Sequence, residues 1–174
     1  MKTQRIAVST LIFFTLLLTA CGYHNPYVYS GPEKKVYFAS WKNRTNELQL
    51  DAKIYQSLIR WYQKSESFKF VKNKADADLI LGGEIVSIDL PSLAYGANNT
   101  TTEVKLKLQV RYIMKEITTD KILFQEPGQT RTEEYTVTPD STSTSDNEKE
   151  ALATIIDELS QDIYVKTLTK LSSI

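Results

Sequence analysis

The sequence predicts a two-layer α+β domain: a mostly antiparallel sheet of four to five strands with two helices packed on one face, in the order β-α-β-β-β-β-α. Three patterns carry this expectation. Val104, Leu106, Leu108, Val110, Tyr112 and Met114 alternate with Glu103, Lys105, Lys107, Gln109, Arg111 and Ile113, the period of a strand with one buried face. Leu50, Ile54, Leu58 and Trp61 recur at helical spacing and share one side. Leu152, Ile155, Ile156, Leu159 and Ile163 do the same near the C-terminus.

The remaining elements follow from local chemistry. Residues 35–41 read as a first strand with Val36 and Phe38 inward, ending at Asn43-Arg44-Thr45-Asn46, whose short polar side chains suit a helix cap. A short strand at 68–71 and a turn at Lys74-Ala75-Asp76-Ala77 lead into a long apolar strand over 78–90. Gly82 and Gly83 interrupt that strand; without a following helix or a Gly-Lys-Ser/Thr they mark a bulge or a close approach of a neighbouring backbone rather than a phosphate loop. Thr118-Thr119-Asp120 turns the long strand back into residues 122–137, so the last three strands form an antiparallel meander. In the final strand Pro127 has no N–H to donate and implies a bulge or an edge. Residues 138–145, rich in Ser, Thr and Asp, read as a linker. Ser145 and Glu148 have capping-box spacing and would open a final helix of about 35 Å at ~1.5 Å per residue.

The N-terminus sets the compartment. Lys2 and Arg5 precede an apolar run from Ile6 to Thr19 that falls short of the roughly 20 residues of a spanning helix, the pattern of a secretory signal. Leu18-Thr19-Ala20-Cys21 looks like a bacterial lipobox, which implies cleavage before Cys21 and a covalent N-acyl and S-diacylglycerol lipid on that residue, with no other cofactor expected. The expected organisation is a signal peptide over 1–20, a lipidated tether over 21–34 and one domain over 35–174. Each buried methylene contributes about 0.8 kcal/mol, so two or three acyl chains anchor a protein almost permanently. Gly22, rather than the aspartate that retains many such lipoproteins in the inner membrane, implies the periplasmic side of the outer membrane.

Composition narrows the function. Of 21 basic residues, Lys2 and Arg5 leave with the signal, so 19 face 21 acidic ones and a nucleic-acid binder is not indicated. The only cysteine is Cys21 and the only histidine is His24, three residues beyond it. A Ser or Cys nucleophile therefore lacks a positioned base. Asp76 and Asp78 flank a turn and Glu133 and Glu134 point to opposite sides of a strand, so neither pair makes a metal cluster. The sequons Asn43-Arg44-Thr45 and Asn98-Asn99-Thr100 read as cap and turn residues in a bacterial chain. The expectation is a binding protein, not an enzyme, with Lys105, Lys107 and Arg111 projecting from the sheet face that the helices leave open.

Several segments together resemble the LPS-assembly lipoprotein family, LptE: Leu18-Thr19-Ala20-Cys21-Gly22-Tyr23, Trp41-Lys42-Asn43-Arg44-Thr45, Ala75-Asp76-Ala77-Asp78-Leu79 with Gly83-Glu84-Ile85, Thr102-Glu103-Val104 and Asp146-Asn147-Glu148. The order and spacing of these pieces carry the resemblance, which runs through the mature chain. It implies a non-enzymatic subunit seated in the lumen of an outer-membrane β-barrel LPS translocon, aiding barrel assembly and LPS delivery to the cell surface. It also implies that the open sheet face and the turn at 91–99 meet barrel or glycolipid, with basic side chains on lipid A phosphates. The chain departs from the family pattern there, with no Lys or Arg from Leu90 to Thr102 and Ser145 before Asp146. Lys105, Lys107, Arg111 and Arg131 are the substitutes that the resemblance points to. Two rival classes also place a strand ending in Phe or Trp before Asn-x-Thr: activators of periplasmic peptidoglycan synthases and subunits of curli-type secretion pores.

Overall fold

The computed structural model describes Tyr29, residues 31–90 and residues 102–173. The signal, Cys21, His24 and the turn at 91–99 lie outside the described residues. The elements are β1 (Lys34–Phe38), β2 (Lys42–Asn43), α1 (Leu50–Gln63), β3 (Phe68–Phe70), β4 (Leu79–Asp89), β5 (Thr102–Glu116), β6 (Ile122–Val137) and α2 (Ser141–Ser172), with a short 3-10 turn at Lys74–Asp76. They form one six-stranded sheet in the order β3-β1-β4-β5-β6, with β2 continuing the β1 edge along β4. Both helices cover the same face, so the two-layer architecture and the meander of β4, β5 and β6 are as the sequence implied.

The sheet is mixed. Its long pairs, β4 with β5 and β5 with β6, are antiparallel. The pairs of β1 with β3, β1 with β4 and β2 with β4 are parallel. The parallel part follows from β1-α1-β3: a helix between two neighbouring strands returns the chain to the same end of the sheet.

β5 is the centre. Leu106, Leu108, Val110 and Met114 are fully buried and Tyr112 nearly so. The helices bring Leu50, Ile54, Leu58 and Tyr62 from α1 and Ile155, Leu159 and Ile163 from α2 onto this face. At the end of α1 the buried aromatic is Tyr62, not Trp61 as expected. Four residues after Leu58, Tyr62 continues the stripe, and its hydroxyl lies 2.6 Å from Thr167 Oγ1 on α2. Thr167 already donates to the Ile163 carbonyl, so Tyr62 is the donor. Burial pushes the Tyr62 phenol far above its ordinary range, so it stays protonated and keeps that bond. Trp61 lies at the rim, where its Nε1 donates to Asp157 Oδ1 on α2 at 3.0 Å.

The two glycines of β4 play different parts. A Cβ on Gly83 would lie 2.5 Å from Cε2 of Trp41, whose indole rests on this strand beside Tyr112, Gly83's cross-strand partner. A Cβ on Gly82 would meet nothing nearer than Ala39 Cβ at 4.0 Å. The close approach at Gly83 is therefore that of a side chain and not of a backbone as expected, and the β4 bulge falls further on, between Ile85 and Ser87. In β6 the register skips Pro127 and Gly128 between the Val110–Gln129 and Tyr112–Glu126 pairs, so the proline marks a bulge on an edge strand.

Both helix starts differ from expectation. Asn43 to Glu47 form a turn instead of a cap: Asn43 Oδ1 accepts from Thr45 N at 2.9 Å and Asn43 Nδ2 donates to Glu47 O at 2.8 Å. α1 begins after Gln49, which sits in the left-handed region (φ 62) with no side-chain cap. α2 begins before the expected Ser145-Glu148 box. Asp140 is its cap, accepting from Thr142 N at 3.1 Å and Ser143 N at 3.2 Å. The Ser/Thr-rich stretch is thus the first turn of a 32-residue helix about 48 Å long at ~1.5 Å per residue. Thr144 is buried there, its hydroxyl donating to Thr138 O at 3.1 Å, and such local bonds let a composition that reads as linker hold a helix.

A ring of polar groups ties α2 to β5 and β6. Lys166 Nζ donates to Tyr112 Oη (3.0 Å), Tyr112 Oη to Gln129 Oε1 (2.8 Å) and Gln129 Nε2 to Asp162 Oδ2 (3.2 Å); Lys166 and Asp162 close it at 3.2 Å. Arg131 Nη2 adds a contact to Asp162 Oδ2 at 2.8 Å. Partial burial alone would raise the Asp162 carboxyl, but the bonds from Gln129 and Lys166 and the charges of Lys166 and Arg131 outweigh it and hold the group below its usual range.

Two predictions follow from this packing. Gly83→Ala destabilises the mature protein in urea titration by about 1–3 kcal/mol because the indole must move, whereas Gly82→Ala changes stability by less than ~0.5 kcal/mol. Asp162→Ala costs about 1–3 kcal/mol at neutral pH. Because the folded Asp162 titrates below its unfolded value, its contribution is complete above about pH 4 and disappears as pH falls through the lower folded value. The gap between wild type and Asp162→Ala should therefore close in acid.

Candidate docking surfaces

No element covers the second face of the β4-β5-β6 sheet among the described residues. Lys105, Lys107 and Arg111 project from it, as the alternation of β5 requires. Arg131 does not join them: it pairs across from Leu108, on the helix side of β6, where Asp162 holds it. The four basic candidates are thus divided between two faces, three on one and one on the other.

Most of their charge is already matched within the protein. Lys105 Nζ lies 2.8 Å from Glu134 Oε1 on β6, and this bond raises the ammonium above its ordinary value. Arg111 Nε donates to Glu84 Oε2 at 2.8 Å from the neighbouring strand, and Arg44 pairs with the other carboxylate oxygen. Glu84 is only 12 % exposed while the two guanidiniums are about half exposed, so one carboxylate is clasped between two arginines. Lys107, beside Asp89 and Thr132 in register, is the one of the four with no ion pair among the described residues. An anionic ligand meeting this face would have to displace Glu134 and Glu84 to reach Lys105 and Arg111, leaving Lys107 as the one ready contact.

Two hollows flank the clasp. One, about 330 Å³, lies on the open face over Gly82, Arg111, Ile113, Gln125 and the Pro127 bulge. The other, about 440 Å³, separates the turn Arg44–Glu47 from the end of β4, Val86–Leu90. The sequence reading passed over Arg44 and Glu84. A signal was present in Glu84, a lone acid at an outward position of an apolar strand, which calls for a cross-strand base such as Arg111.

The described residues hold no group of His, Cys, Asp and Glu placed to bind a metal ion, and no helix among them is long and apolar enough to cross a membrane. What these surfaces offer is shape, paired charge and backbone.

Comparison with known proteins bears on which partner they serve. No curated protein sequence matches the chain significantly. Three solved structures share its fold at low identity. The hypothetical protein CT253 from Chlamydia trachomatis is 14% identical, with a TM-score of 0.56 over 82% of this chain and 100% of that one. Protein XCC0632 from Xanthomonas campestris is 11% identical, with a TM-score of 0.55 over 80% of this chain and 90% of that one. A putative lipoprotein from Caulobacter crescentus is 11% identical, with a TM-score of 0.52 over 77% of this chain and 91% of that one. The family model described as lipopolysaccharide-assembly, LptE, matches residues 33–167, from the start of β1 into the last turns of α2. Since that match takes in every strand, the Glu84 clasp and the polar ring of α2, the chain belongs to the LptE lipopolysaccharide-assembly family.

Proposed function

We propose that this protein is a non-enzymatic outer-membrane lipoprotein, anchored through lipid on Cys21, that docks with the β-barrel LPS translocon and supports its assembly and the passage of LPS to the cell surface. The observation that carries the reading is the family match across the whole sheet and both helices, including the surfaces available for docking. The internal pairing of Lys105, Arg111 and Arg131 favours docking on protein over direct capture of lipid A phosphates at these residues. In this reading Lys107 is the single basic side chain of the four that remains for an anion.

The tether sets how the domain stands on its membrane. Tyr29 packs against the core, and the eight residue steps that separate it from Cys21 can span at most about 28 Å at ~3.5 Å per residue. β1 starts beside the turn after β5, where Lys34 Nζ lies 3.8 Å from Glu116 Oε1. That end faces the bilayer. The slot beside Val86–Leu90 lies towards the other end of β4, whose 11 residues extend about 36 Å at ~3.3 Å each, inside the partner.

Extraction of the outer membrane in mild detergent and capture of a tagged copy should bring down one large β-barrel. Recovery of a peptidoglycan synthase, or of copies of this chain alone, would overturn the proposal. Replacement of Lys107 by Glu should leave recovery of the barrel within about twofold, as expected for a single exposed charge.

A further inference from the structure

Among the described residues, β4 beyond Ile85 has a neighbour on one side only. β2 pairs with Glu84 and Ile85 and ends there, with Arg44 N donating to Ile85 O at 3.1 Å, while β5 continues along the opposite side to Asp89. The backbone edge of Val86–Asp89 is therefore unpaired among the described residues, and the bulge between Ile85 and Ser87 sits at its start. Facing it, across a hollow of about 440 Å³, stands the turn Arg44–Glu47. This wall is internally bonded: Thr45 N and Oγ1 both donate to Asn43 Oδ1, at 2.9 and 2.7 Å, and Glu47 N donates to Thr45 Oγ1 at 3.2 Å. Arg44 ties the turn to β4 through Ile85 O and Glu84, while Thr45 and Glu47 bond within the turn and not to Val86–Asp89.

A second, independent feature adjoins it. Leu48, next after the wall, is 82 % exposed, the most exposed large apolar side chain among the described residues. The following residue, Gln49, holds a left-handed backbone, a strained conformation for a non-glycine residue. Leu48 thus displays an apolar side chain in the segment that leads from the turn into α1. The other edges are less suited: β3 has 3 residues, and β6 is broken by Pro127 and its bulge.

We infer that the slot between Arg44–Glu47 and Val86–Asp89 receives an extended segment of the partner barrel, which adds to β4 as a short strand and covers Leu48 with an apolar side chain. Unpaired amides and carbonyls specify an extended backbone as the occupant, and about four residues, ~13 Å, fill the edge. The inference rests on the translocon reading and deepens it.

The test uses the full-length lipoprotein in its detergent-extracted complex, with photoreactive benzoylphenylalanine in place of Leu48 or Asp89, and of Gln56 on the exposed side of α1 as control. Adducts with the barrel at Leu48 and Asp89, at least tenfold above Gln56, are expected. Amide exchange over Val86–Asp89 should slow in the complex, and Leu48→Asp, harmless to a side chain so exposed, should lower barrel recovery at least tenfold. A barrel that co-purifies without these adducts or this protection overturns the slot and leaves the translocon reading standing. Adducts with a second copy of this chain overturn it too, and absence of any barrel overturns both.

Discussion

Everything in this fold depends on β5 keeping its register. Its even-numbered residues from Leu106 to Met114 belong to the buried face that the helices cover, and its odd-numbered residues, Lys105, Lys107, Gln109 and Arg111, face outward. A slip of one residue would drive three charges into the core and expose five large apolar side chains, so the alternation fixes the pairing of β4 and β6 with almost no freedom. The remaining core answers this face. Trp41 reaches Tyr112 only because Gly83, its cross-strand partner, has no side chain, and α2 is seated by the ring running from Tyr112 through Gln129 to Asp162 and Lys166.

The same alternation shapes the functional surface. Strand charges on an open face attract whatever lies opposite, and here that is the protein's own acid: Glu134 for Lys105, Glu84 for Arg111. Cross-strand pairing keeps the face soluble and removes most of its pull on anions. In the proposed reading, such a protein would hold its partner by complementary shape and backbone rather than by charge, which suits a chain expected to be brought to its membrane by a covalent lipid.

How much of this the sequence disclosed depends on the range of the interaction. Strong periodicity located β5, a continuous apolar run located β4, and the turn at Thr118-Thr119-Asp120 located β6, which runs over the expected residues 122–137. Val36, Phe38, Leu50, Ile54, Leu58 and the apolar stripe of α2 are buried as read. Local chemistry misled at the helix starts, where Asp140 caps α2 ahead of Ser145 and where Asn43 spends its hydrogen bonds on a turn. Tyr62 displaced Trp61 from the core because its partner, Thr167, lies 105 positions away in sequence. Of the basic candidates, β5 parity placed Lys105, Lys107 and Arg111 correctly. Arg131 escaped because the face it takes depends on the skip at Pro127 and Gly128 and on Asp162 across the layer. The slot beside β4 was invisible, being defined by where β2 ends.

In the proposed reading the lipoprotein holds its barrel by packing and backbone pairing. The most direct measurement is retention of the barrel on the immobilised full-length protein as ionic strength rises from about 0.05 to 1 M, which shrinks the Debye length from above 10 Å to about 3 Å. Retention that stays essentially constant is the predicted result. Release of the barrel at moderate salt would contradict the claim and return the open-face charges to the centre of the interaction.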